Sequence, residues 1–146
     1  MHSILIVENN EFYRQSFMEI LRLYLPSLVI AEAVNGREAL EKIEIQPPDI
    51  VFMDIRLNGK NGLELTKEIK ARNPAIYIVI LTNYDYSEYR ETAFWFGADH
   101  FLLKDAVSGA EIAELIKRIL SEKVPADEDG KWFAAIHKWV RVQPTG

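Results

Sequence analysis

The feature that most narrows what this chain can fold into is an alternation, five times over, of short apolar runs with longer amphipathic stretches. The runs are Ile4-Leu5-Ile6-Val7, Leu28-Val29-Ile30-Ala31, Ile50-Val51-Phe52-Met53, Ile76 to Leu81, and Phe101-Leu102-Leu103. Each is short and rich in branched or aromatic side chains, as suits strands buried on both faces. Between the runs, apolar residues return at helical spacing. Tyr13, Phe17, Ile20, Leu21 and Tyr24 form one stripe, and Pro26 stops that helix. Asn35-Gly36 opens a second helix, with Ala39, Leu40 and Ile43 on its apolar side and Pro47-Pro48 behind it. A third holds Leu65 and Ile69 and ends before Pro74, and a fourth ends at Gly97, a suitable residue just past a helix. In the fifth, Ile112, Leu115, Ile116, Ile119 and Leu120 follow the i, i+3, i+4, i+7, i+8 pattern, with Pro125 beyond. This repetition predicts an α/β domain, a parallel sheet with helices on both faces.

The chain has 146 residues, enough for one domain with its own core. The absence of cysteine excludes disulfides, thiolate metal sites and Cys nucleophiles. A net charge of −5 argues against direct nucleic-acid binding, which needs clustered Lys and Arg. No apolar run approaches the ~20 residues of a membrane span, and Met1 leads directly into a strand-like run. A soluble, cytoplasmic protein without membrane contact is expected. The repeating unit occupies residues 1–122. Residues 123–130 read as an acidic linker, and residues 131–146 as an appended amphipathic helix and tail. There Trp132, Phe133, Ile136, Trp139 and Val140 share one helical face. That face needs an apolar partner, with the chain's own domain the first choice and a partner or second copy the next.

In an open parallel sheet, ligands bind outside the carboxyl ends of the strands, where strand order reverses. Glu8-Asn9-Asn10 follow the first run, Asp54 the third, Thr82-Asn83 the fourth and Lys104 the fifth. If the strand order is 2-1-3-4-5, two carboxylates, a hydroxyl and an ammonium converge on one edge. Asp54 alone would be an ordinary loop carboxylate. In that company it is a carboxylate nucleophile able to form an acyl phosphate. Magnesium would need one or two carboxylates and a carbonyl, and Lys104 and Thr82 could offset charge on phosphoryl oxygens.

Four segments, Ile4-Leu-Ile-Val-Glu-Asn-Asn10, Met53-Asp-Ile-Arg-Leu-Asn-Gly59 with Gly62, Val79-Ile-Leu-Thr-Asn83, and Gly97-Ala-Asp-His-Phe-Leu-Leu-Lys-Asp105, closely resemble the receiver domains of two-component response regulators. The last two look most like the subgroup usually followed by a helix-turn-helix DNA-binding domain. The resemblance covers roughly residues 2 to 122. It implies the flavodoxin-like (βα)5 doubly wound sheet, in order 2-1-3-4-5, with the C-terminal helix added. It also implies that Asp54 accepts phosphate from a sensor histidine kinase or phosphotransfer protein, assisted by Thr82 and Lys104. Mg2+ would be held by Glu8, Asn9, Asp54 and the main-chain carbonyl of Arg56. Phe101 stands where the family has its switching aromatic. In that family phosphate draws the Thr-bearing loop inward, the aromatic follows, and the face of helix 4, strand 5 and helix 5, which receivers use for homodimers or targets, changes its partners. Such a chain turns over no separate substrate and is not expected to be an enzyme.

The sequence departs from that pattern at three places. The family has two acids after the first strand, and here the second is Asn9, which removes one negative charge. Weak magnesium binding is the expected consequence. Asn58 stands where a proline is usual, so the loop after Asp54 should be less rigid. Asp105 follows Lys104 where many receivers have proline, which leaves the geometry of that peptide open. Asn9 and Asn58 motivate a rival reading, a phosphate-independent module of the same fold that acts by protein contacts. A cofactor enzyme on this sheet finds little support, with no Gly-rich phosphate loop, no Ser-His-Asp set and no Cys. Asn35-Gly36 and Gly59 to Gly62 read as turn glycines, and His2, His100 and His137 as solvated. Consecutive helical residues point about 100° apart, so Phe94-Trp95-Phe96 cannot all face inward, and Trp95 should be exposed.

Overall fold

The computed structural model describes residues 2–123. The linker from Val124 onward and the Trp132–Trp139 helix expected from the sequence lie outside the described residues. Strands β1 (Ser3–Val7), β2 (Val29–Ala33), β3 (Ile50–Met53), β4 (Tyr77–Thr82) and β5 (His100–Leu103) alternate with α1 (Glu11–Tyr24), α2 (Gly36–Ile45), α3 (Gly62–Arg72), α4 (Ser87–Trp95) and α5 (Gly109–Glu122). The strands form one parallel sheet in the order β2-β1-β3-β4-β5. This is the flavodoxin-like order expected from the sequence.

Alternation along the strands divides the core in two, because successive side chains point to opposite faces. Leu5, Val7, Val51, Met53, Ile78 and Ile80 face α2, α3 and α4, where they meet Ala39, Ile43, Leu65, Ile69 and Ala93. Ile4, Ile6, Ile50, Phe52, Val79 and Leu81 face the other way, onto Phe17, Met18 and Leu21 of α1 and Ile112, Leu115, Ile116 and Ile119 of α5. The helix limits follow local chemistry. Asn10, Asn35 and Asn61 cap α1, α2 and α3, each side chain accepting an N–H three residues on. Ser108 and Glu111 close a reciprocal capping box on α5. Gly97 takes the left-handed conformation (φ 107°) that ends α4.

The structure departs from the sequence reading in several places. The second strand begins at Val29, not Leu28, and is not buried on both faces. Val29 and Ala31 are exposed and Ala33 is buried. The cause is position: β2 is an edge strand, covered only in part. The fourth strand runs one residue further than Leu81, so Thr82 is its last member, paired with Leu103. His100 opens β5 and is half-buried rather than solvated, whereas His2 is exposed. On α1, Ile20 and Tyr24 border the buried face, and Met18 takes a core place beside Phe17 and Leu21. Trp95 is 86% exposed, as its helical phase requires.

Candidate functional site

Four strand ends meet at the carboxyl edge of the sheet, and backbone ladder bonds fix each one. The Glu8 N–H donates to the Ala33 carbonyl (3.0 Å), that of Asp54 to Val7 (3.1 Å) and that of Lys104 to Thr82 (2.9 Å). The side chains that follow are therefore aimed by the sheet itself. Lys104 Nζ lies 2.6 Å from Glu8 Oε1 and 3.0 Å from Asp54 Oδ2. Glu8, Asp54 and the Lys104 side chain are all largely buried. The remaining carboxylate oxygens are occupied from the main chain. Asp54 Oδ1 accepts from the Ile55 N–H (2.7 Å) and Glu8 Oε2 from the Asn10 N–H (3.0 Å). Thr82 is fully buried, and its Oγ1 accepts from the Tyr84 N–H (3.3 Å).

Two carboxylates with one ammonium leave the cluster with a residual negative charge. Burial, above all, raises the Glu8 pKa, against the hydrogen bond from Lys104, which lowers it. Burial also pulls the Lys104 ammonium down, but the hydrogen bond to Glu8 and the charge of Asp54 outweigh it, and its pKa is raised. The Tyr13 ring lies 4.2 Å from Lys104 Nζ and walls one side of the cluster. Its phenol is pushed up to about 12 by burial and then by the charges of Glu8 and Asp54.

The sequence-derived candidates thus divide. Glu8, Asp54 and Lys104 are in direct contact, and Thr82 ends the strand between β3 and β5. Asn9 is exposed beside Glu8. Arg56 lies two residues beyond Asp54, and its guanidinium stacks 4.1 Å from the centre of the Tyr84 ring. Phe101 is buried on β5, and the Arg90 guanidinium lies 4.6 Å from its ring centre. Asn58 forms a parallel bridge with Asn35, and Leu57 is buried, which offsets the freedom expected without a proline. All described peptide bonds are trans, including the one after Lys104. Gly62 is more than a turn glycine: it opens α3 against the site, and a Cβ there would stand 2.0 Å from the Asp54 carbonyl oxygen. Gly59, with φ 88°, is the true turn residue.

Two contributors escaped the sequence reading. Arg14 is buried, donating from Nη1 to the Glu8 carbonyl (2.7 Å) and from Nε to Glu32 Oε1 (2.6 Å). It holds the backbone that carries Glu8. Its signal was a charged residue in phase with Phe17, Met18 and Leu21 at i, i+3, i+4 and i+7. Tyr13 sat on the apolar stripe and read as core, although its ring belongs equally to the site.

A magnesium ion takes oxygen donors and keeps several waters. The donor set suits it, because Glu8 and Asp54 already turn one oxygen each toward a single cationic atom, Lys104 Nζ. The set is poor in charge. Among the described residues, no three His, Cys, Asp or Glu side chains gather as a metal-holding group.

Comparison with known proteins shows the family of the chain. The model of the response regulator receiver domain family matches residues 4–119, and the chain belongs to that family. It is a receiver domain of the kind found in two-component response regulators, which interact with histidine kinases or phosphotransfer proteins and generally bind Mg2+. Among its relatives, the transcriptional regulatory protein LnrK of Bacillus subtilis is 39% identical over 105 residues, 72% of this chain and 48% of that protein. The DNA-binding transcriptional activator DevR/DosR of Mycobacterium tuberculosis is 29% identical over 119 residues, 82% of this chain and 54% of that protein. The chain thus spans about half the length of these curated relatives. A DNA-binding response regulator of the LuxR family from Staphylococcus aureus superposes with a TM-score of 0.75 at 30% identity, over 82% of this chain and 98% of that one. Among the described residues, no helix is long and apolar enough to cross a membrane.

Proposed function

We propose that the chain is a phosphorylation-switched receiver whose phosphoacceptor is Asp54. The observation that carries this reading is the contact of one buried ammonium, Lys104, with both Glu8 and Asp54 at the ends of three strands, with Thr82 closing the fourth. A carboxylate oxygen of Asp54 attacks the donor's phosphorus and forms a P–O bond. The bond to the donor breaks, and the departing group keeps its electron pair. Lys104 and the Thr82 hydroxyl offset the charge spread over the phosphoryl oxygens. Bound magnesium, on Glu8, Asn9, Asp54 and the Arg56 carbonyl, would supply the remaining charge compensation. Asn9 contributes a neutral oxygen, so magnesium binds weakly here. Arg14 keeps Glu8 in position. Phe101 beneath Arg90 is the aromatic that follows Thr82, passing the event to α4, β5 and α5 and so to protein partners. The phosphoryl source is a sensor histidine kinase or phosphotransfer protein, and the chain works in the cytoplasm without turnover of a separate substrate.

Intact mass after incubation with magnesium and a small phosphoryl donor tests this reading, with Asp54→Asn as control. One adduct on the parent alone is the expected outcome. Asn9 favours a second reading, a receiver fold that signals without phosphate. No adduct at raised magnesium, with the donor active on another receiver, would select it.

A further inference from the structure

A cleft of about 180 Å³ lies on the face opposite α1, at the amino end of the sheet, between the edge strand β2 and the end of α2. Its lining is mostly apolar, with Leu5, Val29, Ala31, Ile45 and Pro48, and Ser3, Lys42 and Gln46 supply the polar part. Val29 is 42% exposed and Ile45 84%, so apolar side chains stand open at this rim. A cavity of roughly 150 Å³ lined by aliphatic groups accepts benzene, so this cleft can receive one large aromatic ring.

The described chain ends close to the same place, at Lys123. At the end of the described structure, Lys123 Nζ donates to the Asp49 carbonyl (2.9 Å). Asp49 Oδ2 in turn accepts from the Ser3 N–H (2.8 Å), and Ser3 and Pro48, on either side of that contact, line the cleft. The seven residues 124–130 can span at most about 25 Å, ample for a turn around the sheet's lower edge. Beyond them, Trp132, Phe133, Ile136, Trp139 and Val140 recur at helical spacing. The two segments also differ in overall charge. Residues 1–130 hold 14 Lys and Arg against 22 Asp and Glu, whereas residues 131–146 hold three Lys and Arg and no acid. Lys42 of α2 is the one charged residue of the cleft lining, and its ammonium is held by the Glu32 carbonyl and lies beside Glu38, so among the described residues no free cation opposes the basic segment there. We infer that residues 131–142 dock their Trp-bearing stripe into the cleft between β2 and α2 of the same chain, covering the exposed sheet edge.

The test uses the full chain carrying Trp95→Phe, which removes the exposed tryptophan and leaves Trp132 and Trp139 as the only reporters. Emission and acrylamide quenching are measured across a dilution series, alone and with Ile45→Asp. Phe12→Asp, at an equally exposed apolar position away from the cleft, is the control, and far-UV circular dichroism checks the fold. The expected result is blue-shifted emission that does not change on dilution. Ile45→Asp should move it toward that of tryptophan in water, with several-fold stronger quenching, and Phe12→Asp should leave it in place. Water-like emission in the parent would overturn the proposal. So would shielding indifferent to Ile45→Asp or equally lost with Phe12→Asp, which places the stripe elsewhere. Shielding that disappears on dilution would assign the stripe to a second copy and overturn it too.

Discussion

Replacing Lys104 by Met should expose how much the site depends on one cation. The ammonium stands 2.6 Å from Glu8 and 3.0 Å from Asp54, and all three side chains are less than a tenth exposed. At an effective dielectric of about 20, unit charges roughly 3 Å apart attract by about 5 kcal/mol before desolvation is counted. Removing one partner of a buried pair typically costs ~3–5 kcal/mol, because the remaining charge is stranded. Here two carboxylates are stranded together, while the apolar Met stem retains contact with Tyr13, so the lower end, ~3 kcal/mol, is expected. For a domain of this size that is a fall of about 10 °C in melting temperature. The sign of the pH dependence follows from Glu8, whose pKa is already raised, chiefly by burial, and rises further without Lys104. A carboxyl whose folded pKa exceeds its unfolded one favours folding fully below the unfolded value and loses that contribution as pH rises through the folded value. The variant should therefore lose more stability near pH 7 than near pH 5, about the carboxylate range. Thermal and urea unfolding at both pH values check this. A deficit under about 1 kcal/mol, the worth of an exposed pair, would refute the reasoning. A deficit equally large at the lower pH would refute it as well.

Further perturbations probe the rest of the site. Asn9→Asp should tighten magnesium binding about tenfold, or ~1.4 kcal/mol, read from intrinsic fluorescence during titration, and unchanged affinity would remove Asn9 as the cause of weak binding. Gly62→Ala places a methyl against the Asp54 carbonyl oxygen and should cost ~1–3 kcal/mol in denaturant unfolding, with a slower reaction at Asp54 measured by adduct formation. Tyr13, held up to about 12 from its ordinary 10.0, should ionise late in an ultraviolet pH titration. Its contribution to stability is complete below pH 10 and is lost toward pH 12, and Tyr13→Phe should remove that part of the alkaline loss.

Much of this was readable in the sequence because strand ends are. Buried parallel strands leave continuous apolar runs, and the residue after each run is placed by the sheet, so Glu8, Asp54 and Lys104 could be named without coordinates. Thr82 was named but misplaced by one residue, since a threonine has no hydropathic mark to separate a last strand position from a first loop position. The edge strand was misread for a related reason. Val29 and Ala31 are apolar whether or not anything covers them, and coverage is a property of sheet order. Arg14, Tyr13 and the stacking of Arg56 on Tyr84 were not legible. Each depends on the direction of a long side chain across a tertiary gap, which spacing along one helix or loop leaves undetermined.

The measurement closest to the central claim is the chemistry of the modified residue itself. After treatment with a small phosphoryl donor and magnesium, the parent should carry one phosphoryl group that hydroxylamine removes, as an acyl phosphate requires. Peptide mapping should place it on Asp54, with no adduct on Asp54→Asn. An adduct that resists hydroxylamine, or that survives in Asp54→Asn, would contradict the assignment of Asp54 as phosphoacceptor.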